Sequence, residues 1–344
     1  MRMMADPAPL LPRTAPDVSV VITTHNEAGQ IGATLCALRA DPWVKEGRAE
    51  VILVDDRSTD GTLIEAAQAG LAGLRMLHAP AFPPDPESGL TTRQWALDIG
   101  FRAARGRVIL TLDADSTLPH GWIARMAGQV LAGEVDAMAG PVGFRPLTGP
   151  VALWQSCDAA HYAAVAGLLA VAGLPSGVFF GNFAFRAGLY AEVGGFEQIG
   201  RALTEDLAFA RAIARSGGKI AFAGGQSRVD VRAAPGLWPL VARTRRVASG
   251  PVSLLAAVLT LWPLSLLVLA IATAVGLLSP LLLILRALAG VLLLWAALAR
   301  SNPDPRLFAF APLYEPGVFV LALLVTGQRL RYGRRIRWGG QDYG

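Results

Sequence analysis

Residues 108–115 constrain the fold of this chain more than any other stretch. They read Val-Ile-Leu-Thr-Leu-Asp-Ala-Asp, so an apolar, β-branched run leads directly to Asp113 and Asp115. Such a run is typical of a strand buried in the middle of a parallel sheet. Ligands of these sheets bind at the carboxyl ends of the strands, where both carboxylates would lie. The pattern therefore predicts an α/β fold with a ligand site beside Asp113 and Asp115.

The spacing of these two carboxylates suggests what that ligand contains. Carboxylates one residue apart repel each other unless a cation lies beside them, and hard oxygen ligands suit Mg²⁺ or Mn²⁺. A divalent metal that carries a nucleotide diphosphate would satisfy both side chains. Acidic residues are also common in plain surface turns. On this pattern alone, both interpretations stay open.

Strand and helix patterns alternate four times before residue 132, which implies a mainly parallel sheet. We predict strands over 18–23, 50–54, 74–78, 108–112 and 135–140, and helices over 30–39, around 95–101 and over 159–174. Asn26 and Glu27 follow the first strand, and Asp55 and Asp56 follow the second. These polar residues would meet a ligand at the sheet edge, although helix capping explains Asn26 and Glu27 equally well.

A third acidic pair begins a later helix. Thr204 can cap this helix, and the helix dipole favours Glu205 and Asp206 in its first turn. Capping does not explain why a third acidic pair occurs within one domain.

Composition divides the chain near Gly250. The hydrophobic fraction of 53% and the mean hydropathy of +0.43 are too high for an ordinary soluble enzyme, and the excess follows that residue. Three apolar runs, 253–278, 281–298 and 310–326, each approach the ~20 residues that cross a bilayer. We expect a disordered segment, a catalytic domain, membrane helices and a basic tail over residues 1–17, 18–250, 251–328 and 329–344.

Charged residues are placed as in a membrane protein. The net charge of +5 comes almost entirely from Arg, much of it at 243–246 and 329–337, beside the apolar runs. This placement fits anionic lipid headgroups, and no motif indicates nucleic-acid binding. Arg286 lies inside the second run, where a charge needs a partner or must reach a headgroup. Cys36 and Cys157 show no spacing that indicates a disulfide or a metal site.

Together, four motifs resemble those of the inverting GT-A glycosyltransferases of family 2. The motifs are Val21-Ile22-Thr23-Thr24-His25-Asn26-Glu27, Asp55 to Thr62, Asp113 to Asp115 and Thr204 to Asp206. They occur in the family's order, each at the end of a predicted element. The resemblance implies a nucleotide-sugar donor and a divalent metal, Mg²⁺ or Mn²⁺.

The resemblance also implies roles for matched residues. Asp206 would be the catalytic base, with Glu205 beside it, and Asp115 would bind the metal. The donor would be bound by Thr23, Asn26, Glu27, Asp55, Asp56, Asp113, Gly181, Asn182 and Arg246. Thr23 departs from the family, which often has Pro there.

Two further segments bear on the acceptor. Processive synthases of the family carry Gln-x-x-Arg-Trp, but this chain has Arg243 and Val247 in place of the Gln and the Trp. A platform for stacking a growing glycan is therefore missing. The tail at 338–343 resembles that of family members that glycosylate hopanoid and carotenoid lipids. We expect transfer of one sugar to a membrane lipid; a polysaccharide synthase and a silent membrane-anchored assembly factor are the alternatives.

The topology follows from two arguments. Residues 1–16 lack the apolar core of a signal peptide, and nucleotide sugars are cytoplasmic, so we expect a multi-pass inner-membrane protein with a cytoplasmic catalytic domain. The Arg-rich tail also favours the cytoplasm, which requires an even number of crossings. One of the three runs should therefore lie in the interface, and we expect it to be the first, because Pro263 divides it.

Overall fold

A computed structural model describes residues 15–81, 89–174, 177–250, 254–333, 335–338 and 341–343. Most of the predicted segment 1–17 lies outside these ranges, as do parts of the loop at 79–89 and of the tail at 329–344. The disorder predicted for the N-terminal segment is therefore untested.

The first part of the chain alternates strands and helices as predicted. The elements are β1 (Val18–Thr24), α1 (Ile31–Ala40), α2 (Pro42–Lys45), β2 (Ala49–Asp55), α3 (Thr62–Gln68), β3 (Arg75–His78), α4 (Thr92–Ala103), β4 (Val108–Asp113), α5 (Trp122–Leu131), β5 (Ala137–Ala139), β6 (Val142–Arg145), α6 (Gly149–Val171), β7 (Asn182–Arg186), α7 (Gly188–Glu192), α8 (Gly195–Ile199), α9 (Glu205–Arg215), β8 (Ile220–Phe222) and β9 (Val229–Arg232). The five predicted strands are all present, with ends that differ by one or two residues.

Seven strands form one sheet in the order β3-β2-β1-β4-β7-β5-β8. Strands β1, β2, β3 and β4 are parallel, which confirms the predicted mainly parallel α/β sheet. Strand β7 is antiparallel to both neighbours, which the sequence did not predict. It begins at the carboxyl edge, where Asn182 lies beside Leu112, and so it must run in the opposite direction. Strands β6 and β9 pair separately and in parallel.

The sheet is buried on both faces, as expected for parallel strands. One face packs against α1 and α5. The other carries a cluster of aromatic rings from β7 and from the helices α4, α7, α8 and α9, namely Phe101, Phe183, Phe185, Tyr190, Phe196 and Phe209. Burial of several large rings contributes strongly to the stability of this layer.

The second part of the chain is largely helical. It comprises α10 (Leu237–Val247), α11 (Leu254–Ala274), α12 (Pro280–Ser301), α13 (Pro305–Phe310), α14 (Tyr314–Tyr332), β10 (Ile336–Trp338) and β11 (Gln341–Tyr343). Three stretches are long and apolar enough to cross a membrane, namely Ala257–Ala274, Pro280–Ser301 and Pro305–Tyr332. The third predicted run is divided, because a short 3₁₀ turn at Ala311–Leu313 separates α13 from α14.

Helix α6 joins the two parts. It begins at Gly149, ten residues before the predicted start, and is therefore much longer than the sequence suggested. Cys157 and Ala160 of α6 share an apolar cluster with Leu294 and Leu298 of α12. The apolar helices are thus packed directly on a helix of the α/β domain.

The charge predicted to need a partner inside the second run has one. The Arg286 guanidinium lies 3.3 Å from the Glu315 carboxylate, and both side chains are nearly buried. Its Nε donates to Ser265 Oγ at 2.8 Å, and its Cζ lies 3.9 Å from the ring centroid of Trp262. The ion pair therefore links α12 to α14, and the contacts of Arg286 with Ser265 and Trp262 add α11.

Candidate active site

The register of the parallel strands brings the predicted residues to one edge. Thr23 of β1 lies opposite Asp113 of β4, and Thr24 lies opposite Asp55 at the end of β2. Residues that are far apart in the sequence therefore end their strands side by side. This edge is where α/β sheets bind ligands.

The loops after β1 and β2 are joined by hydrogen bonds. Asn26 has a positive φ of 57°, and its Oδ1 accepts from Thr59 N at 2.8 Å. Glu27 N donates to Thr62 Oγ1 at 2.8 Å. Helix α1 begins only at Ile31, so capping does not explain Asn26. Asn26 instead fixes the relative position of the two loops that would surround a nucleotide.

Asp55 and Asp56 differ in their surroundings. The Asp55 carboxylate is buried and lies 3.0 Å from His78 Nδ1 at the end of β3. Asp56 makes a two-point ion pair with Arg57, at 2.7 and 3.1 Å. Both side chains are held in place at the side of the site where the resemblance puts the nucleotide base.

Glu27, Asp113 and Asp115 form a cluster of negative charge. Burial and the charges of Asp115 and Asp113 raise the pKa of Glu27 to about 7, and burial and Asp113 raise the pKa of Asp115. Arg232, the last residue of β9, offsets only part of this charge. Its backbone N donates to Asp115 Oδ2 at 3.0 Å, and its guanidinium lies 3.4 Å from Glu27. A bound cation would relieve the remaining repulsion.

The cluster fits a metal that has other ligands as well. Among the described residues, no three His, Cys, Asp or Glu side chains converge to hold a metal ion by themselves. Mg²⁺ and Mn²⁺ accept carboxylate oxygens, and Mg²⁺ is often bound by one or two carboxylates together with substrate phosphates. Asp115, with Asp113 beside it, is a donor set of that type.

Arg93 of α4 connects two of the acidic motifs. Its Nη2 lies 2.7 Å from Asp113 Oδ1, and its Nε lies 2.8 Å from Glu205 Oε1. Glu205 is 3% exposed, and its Oε1 is the atom that forms this ion pair. We therefore expect Glu205 to position the site, whereas Asp206 remains the better candidate for proton transfer.

Asp206 lies in the first turn of α9. Burial and the neighbouring Glu205 raise its pKa, which makes the carboxylate a stronger base than an exposed aspartate. Its Oδ1 accepts from Leu207 N at 2.8 Å. Thr204 is the N-cap residue by position but makes no side-chain capping bond. The capping explanation of this motif is therefore wrong for Thr204.

Gly181 and Asn182 have different positions. A Cβ atom on Gly181 would lie 2.5 Å from Asp113 Oδ2, so a larger residue here would displace the Asp113 carboxylate. Asn182 is fully buried, accepts from Trp122 Nε1 at 2.9 Å and donates to Pro141 O at 2.8 Å. The prediction that Asn182 binds the donor is wrong, because its amide is used inside the core.

Helix α10 brings two more arginines to the site. Arg246 donates to Leu203 O at 3.1 Å, just before the acidic turn. Arg243 stacks on Phe144 at 4.7 Å, and its charge interacts with those of Asp113 and Asp115. Burial lowers its pKa.

Sequence reasoning assigned no donor-site role to Arg93, Arg232 or Arg243. Arg93 and Arg232 come from α4 and β9, which carry no motif that singles them out, and Arg243 of α10 was noted only as the replacement of a Gln. A count of unbalanced acidic residues at the sheet edge would have indicated that arginines must lie there, but not which ones.

Two family profiles match the chain. Glycosyl transferase family 2 matches residues 19–191, which is half of the chain, and Glycosyl transferase family group 2 matches residues 108–315. The chain belongs to glycosyl transferase family 2. This family identification agrees with the resemblance carried by the four motifs.

Individual relatives cover smaller parts. Glycosyltransferase AglE of Haloferax volcanii is 31% identical over 133 residues, which are 38% of this chain and 41% of that protein. Dodecaprenyl-phosphate galacturonate synthase of Rhizobium johnstonii is 32% identical over 128 residues, which are 36% and 35% of the two chains. The chain thus spans less than half the length of these relatives.

The structure of mannosyltransferase PcManGT from Pyrobaculum calidifontis, solved with GDP-Man and Mn²⁺, resembles this chain over nearly its whole length. The TM-score is 0.52 at 20% identity, with 92% of this chain and 88% of that chain covered. At this identity the similarity concerns the fold alone. It supports a GT-A domain followed by apolar helices.

The bridging role of Arg93 can be tested by Arg93→Met. Removal of the guanidinium leaves Asp113 and the buried Glu205 without their shared partner, which should cost about 3 kcal/mol. We expect a clear fall in the midpoint of thermal unfolding and a loss of activity. Glu205→Gln in the Arg93→Met background should restore part of the stability.

Arg48→Met is the matched control. Arg48 pairs with Asp17 at 3.0 Å on the exposed opposite edge of the sheet, and loss of such a pair costs about 1 kcal/mol or less. If the two variants unfold at the same temperature, Arg93 does not have the role assigned to it.

Proposed function

We propose that the protein transfers one sugar from a nucleotide-sugar donor to a hydroxyl group of a membrane lipid, with inversion and with help from a divalent metal. The proposal includes a catalytic domain over 18–250, membrane helices over 251–328, a tail over 329–344 and an inner-membrane location with the catalytic domain in the cytoplasm. In its most specific form, the proposal names a hopanoid or a carotenoid as the acceptor lipid.

One observation supports a lipid acceptor. The acidic turn lies beside Gly250, just before the chain enters the proposed membrane helices. A Cβ atom on Gly250 would lie 2.6 Å from Thr204 Oγ1, and Arg246 donates to Leu203 O at 3.1 Å. The base would therefore stand where the chain leaves the α/β domain for apolar helices. A lipid hydroxyl that enters from the membrane surface would meet Asp206 first.

The reaction follows from this arrangement. The acceptor oxygen attacks the anomeric carbon, the bond from that carbon to the diphosphate breaks, and the acceptor proton passes to Asp206. Asp115 and Asp113 would hold the metal, which neutralises charge on the departing diphosphate when it is bound. Arg243 and Arg246 add fixed positive charge beside the same group. A single displacement inverts the configuration.

A lipid phosphate is the second candidate acceptor. The Rhizobium relative is named as a dodecaprenyl-phosphate galacturonate synthase. A phosphate acceptor is already ionised near neutral pH and needs no base. Dependence on Asp206 therefore separates a hydroxyl acceptor from a phosphate acceptor.

Polymer synthesis fits less well. Val247, which replaces the stacking Trp of processive synthases, is 52% exposed and offers no ring to a glycan. Analysis of product length would reveal a polymer. Mass spectrometry of lipids from a deletion strain, with a search for a lost hexosyl species, would identify the acceptor.

Asp206→Asn tests the base. The amide keeps the size of the side chain but cannot accept the proton, so kcat should fall by ~10² or more while the KM for the donor changes little. Glu205→Gln is the comparison variant. It should lower the stability of the protein and should reduce kcat less than Asp206→Asn does. Unchanged turnover in Asp206→Asn would favour the lipid-phosphate acceptor.

The pH profile gives a second test of Asp206. A base must be ionised to act, and the pKa of Asp206 is raised, so activity should decline on the acid side at a pH above the usual aspartate range near ~4. The residual activity of Asp206→Asn should lack this acid limb. If the variant keeps the decline of activity at acid pH, the group that titrates there is not Asp206.

Asp115→Ala tests the metal. We expect transfer to be abolished, and the stabilisation of the protein by Mn²⁺ with a nucleoside diphosphate in a thermal-shift assay to disappear. Asp17→Ala, at the opposite edge of the sheet, should retain that stabilisation. The metal assignment is wrong if Asp115→Ala still responds to Mn²⁺ as the unmodified protein does.

A further inference from the structure

Helix α14 is long enough to cross a bilayer but has another possible position. Its 19 residues extend about 28 Å, close to the hydrocarbon thickness. Length and apolar composition therefore do not distinguish a crossing helix from one that lies along the membrane surface. The contacts of α14 with the rest of the protein distinguish these two positions.

The start of α14 is fixed to α6. Trp154 Nε1 donates to Tyr314 O at 3.1 Å, and the Tyr314 hydroxyl donates to Asp158 Oδ1 at 2.9 Å. A Cβ atom on Gly317 would lie 2.4 Å from Trp154 Nε1, so the two helices touch. This part of α6 belongs to the α/β domain, because Ser156 Oγ donates to Phe144 O of β6.

The middle and the end of α14 are fixed to α10. Leu321 and Val325 pack against Leu240 and Val241. Past the end of the helix, Arg245 Nη2 donates to the carbonyls of Gly333 and Arg335, at 2.8 and 2.6 Å. Helix α10 carries Arg243 and Arg246 of the candidate site. Both ends of α14 therefore contact the catalytic domain.

This arrangement is incompatible with crossing. A spanning helix that starts at the domain must end about 30 Å away, on the far side of the hydrocarbon. Helix α14 instead ends on the same α/β domain where it began.

The outer face of α14 is apolar. Val320, Leu323 and Leu330 are 55%, 73% and 85% exposed, and Arg329 and Arg331 are exposed at the same end as Tyr332. Apolar side chains with Arg and an aromatic residue at the margin are typical of helices at the boundary of headgroups and acyl chains. The basic residues suit an anionic lipid surface.

Helices α11 and α12 form a hairpin of a different kind. The hairpin leaves the domain beside Thr204, next to Gly250, and it returns where Arg228 donates to Ser301 O. The connection between the helices carries exposed apolar residues at its tip, such as Leu277, which is 76% exposed. The middle of the hairpin is tied to the start of α14, because Arg286 pairs with Glu315.

We propose that α14 lies in the membrane plane, with its outer face in an anionic lipid surface. The in-plane segment predicted from the sequence is then the third apolar run and not the first. The end of α14 then lies on the same side of the membrane as the active site.

Depth measurements on single spin labels test the proposal. We would place labels at Val320→Cys and Leu330→Cys in a full-length Cys36→Ser, Cys157→Ala background, in vesicles of phosphatidylcholine and phosphatidylglycerol. The depth of each label in the membrane is measured from its accessibility to oxygen and to a water-soluble nickel complex. The two sites are ten residues apart, so an in-plane helix gives nearly equal depths, whereas a crossing helix gives a difference of about 15 Å.

Leu261→Cys and Ile271→Cys in α11 are the matched pair. They are also ten residues apart and exposed, and we expect their depths to differ by about 15 Å. A large difference between 320 and 330, or full access of both labels to the nickel complex, would overturn the in-plane helix. Leu323→Cys replaces either α14 variant that fails to fold.

Sidedness is measured independently. Cys36 is exposed on the catalytic domain and serves as a native reporter for a membrane-impermeant maleimide. In Cys36→Ser, Arg331→Cys, the new thiol should react from the same side as Cys36 does in the unmodified protein. Reaction from the opposite side would contradict the proposal. Neither experiment depends on activity, so a failure here leaves the proposed reaction untouched.

Discussion

Repulsion among carboxylates at one sheet edge is the constraint on which this structure depends. The parallel register places Asp113 beside the end of β1, and the turn of α9 adds Glu205 and Asp206 nearby. At short separations such charges repel by several kcal/mol when they are partly buried. The fold offsets this cost with arginines from other elements, most directly Arg93, which contacts two acidic motifs at once. The charge that remains is available to attract a metal and to bind a donor.

The same requirement shapes the junction with the apolar helices. Arg286 would be costly among apolar helices, and Glu315 offsets its charge. The preceding residue, Tyr314, bonds to Asp158 of the α/β domain. Two consecutive residues of α14 thus join the hairpin on one side and the catalytic domain on the other. The apolar helices are consequently held in a fixed position relative to the acidic turn.

The sequence predicted the strands and their acidic ends because both depend on local patterns. A buried strand reads as an apolar run, and parallel register then brings Asp55 and Asp113 together without further information. The sequence could not predict the role of Arg93, because the position of Arg93 depends on how α4 packs on the sheet. Nor could it predict the reversed direction of β7, which depends on the path of the chain through α6. Asn182 was assigned wrongly because a motif specifies a position in the chain but not the direction of a side chain.

Helix α14 shows why composition alone does not decide whether a helix crosses a membrane. A helix that packs on a protein with one face and on lipid with the other needs apolar residues on both faces. Leu321 and Val325 meet α10, whereas Val320 and Leu323 face outwards, so the apolar pattern extends around the helix. A spanning helix has the same pattern because lipid surrounds it. The two cases differ in where the helix ends, and the bonds from Arg245 to the carbonyls beyond Tyr332 hold the end of α14 at the α/β domain.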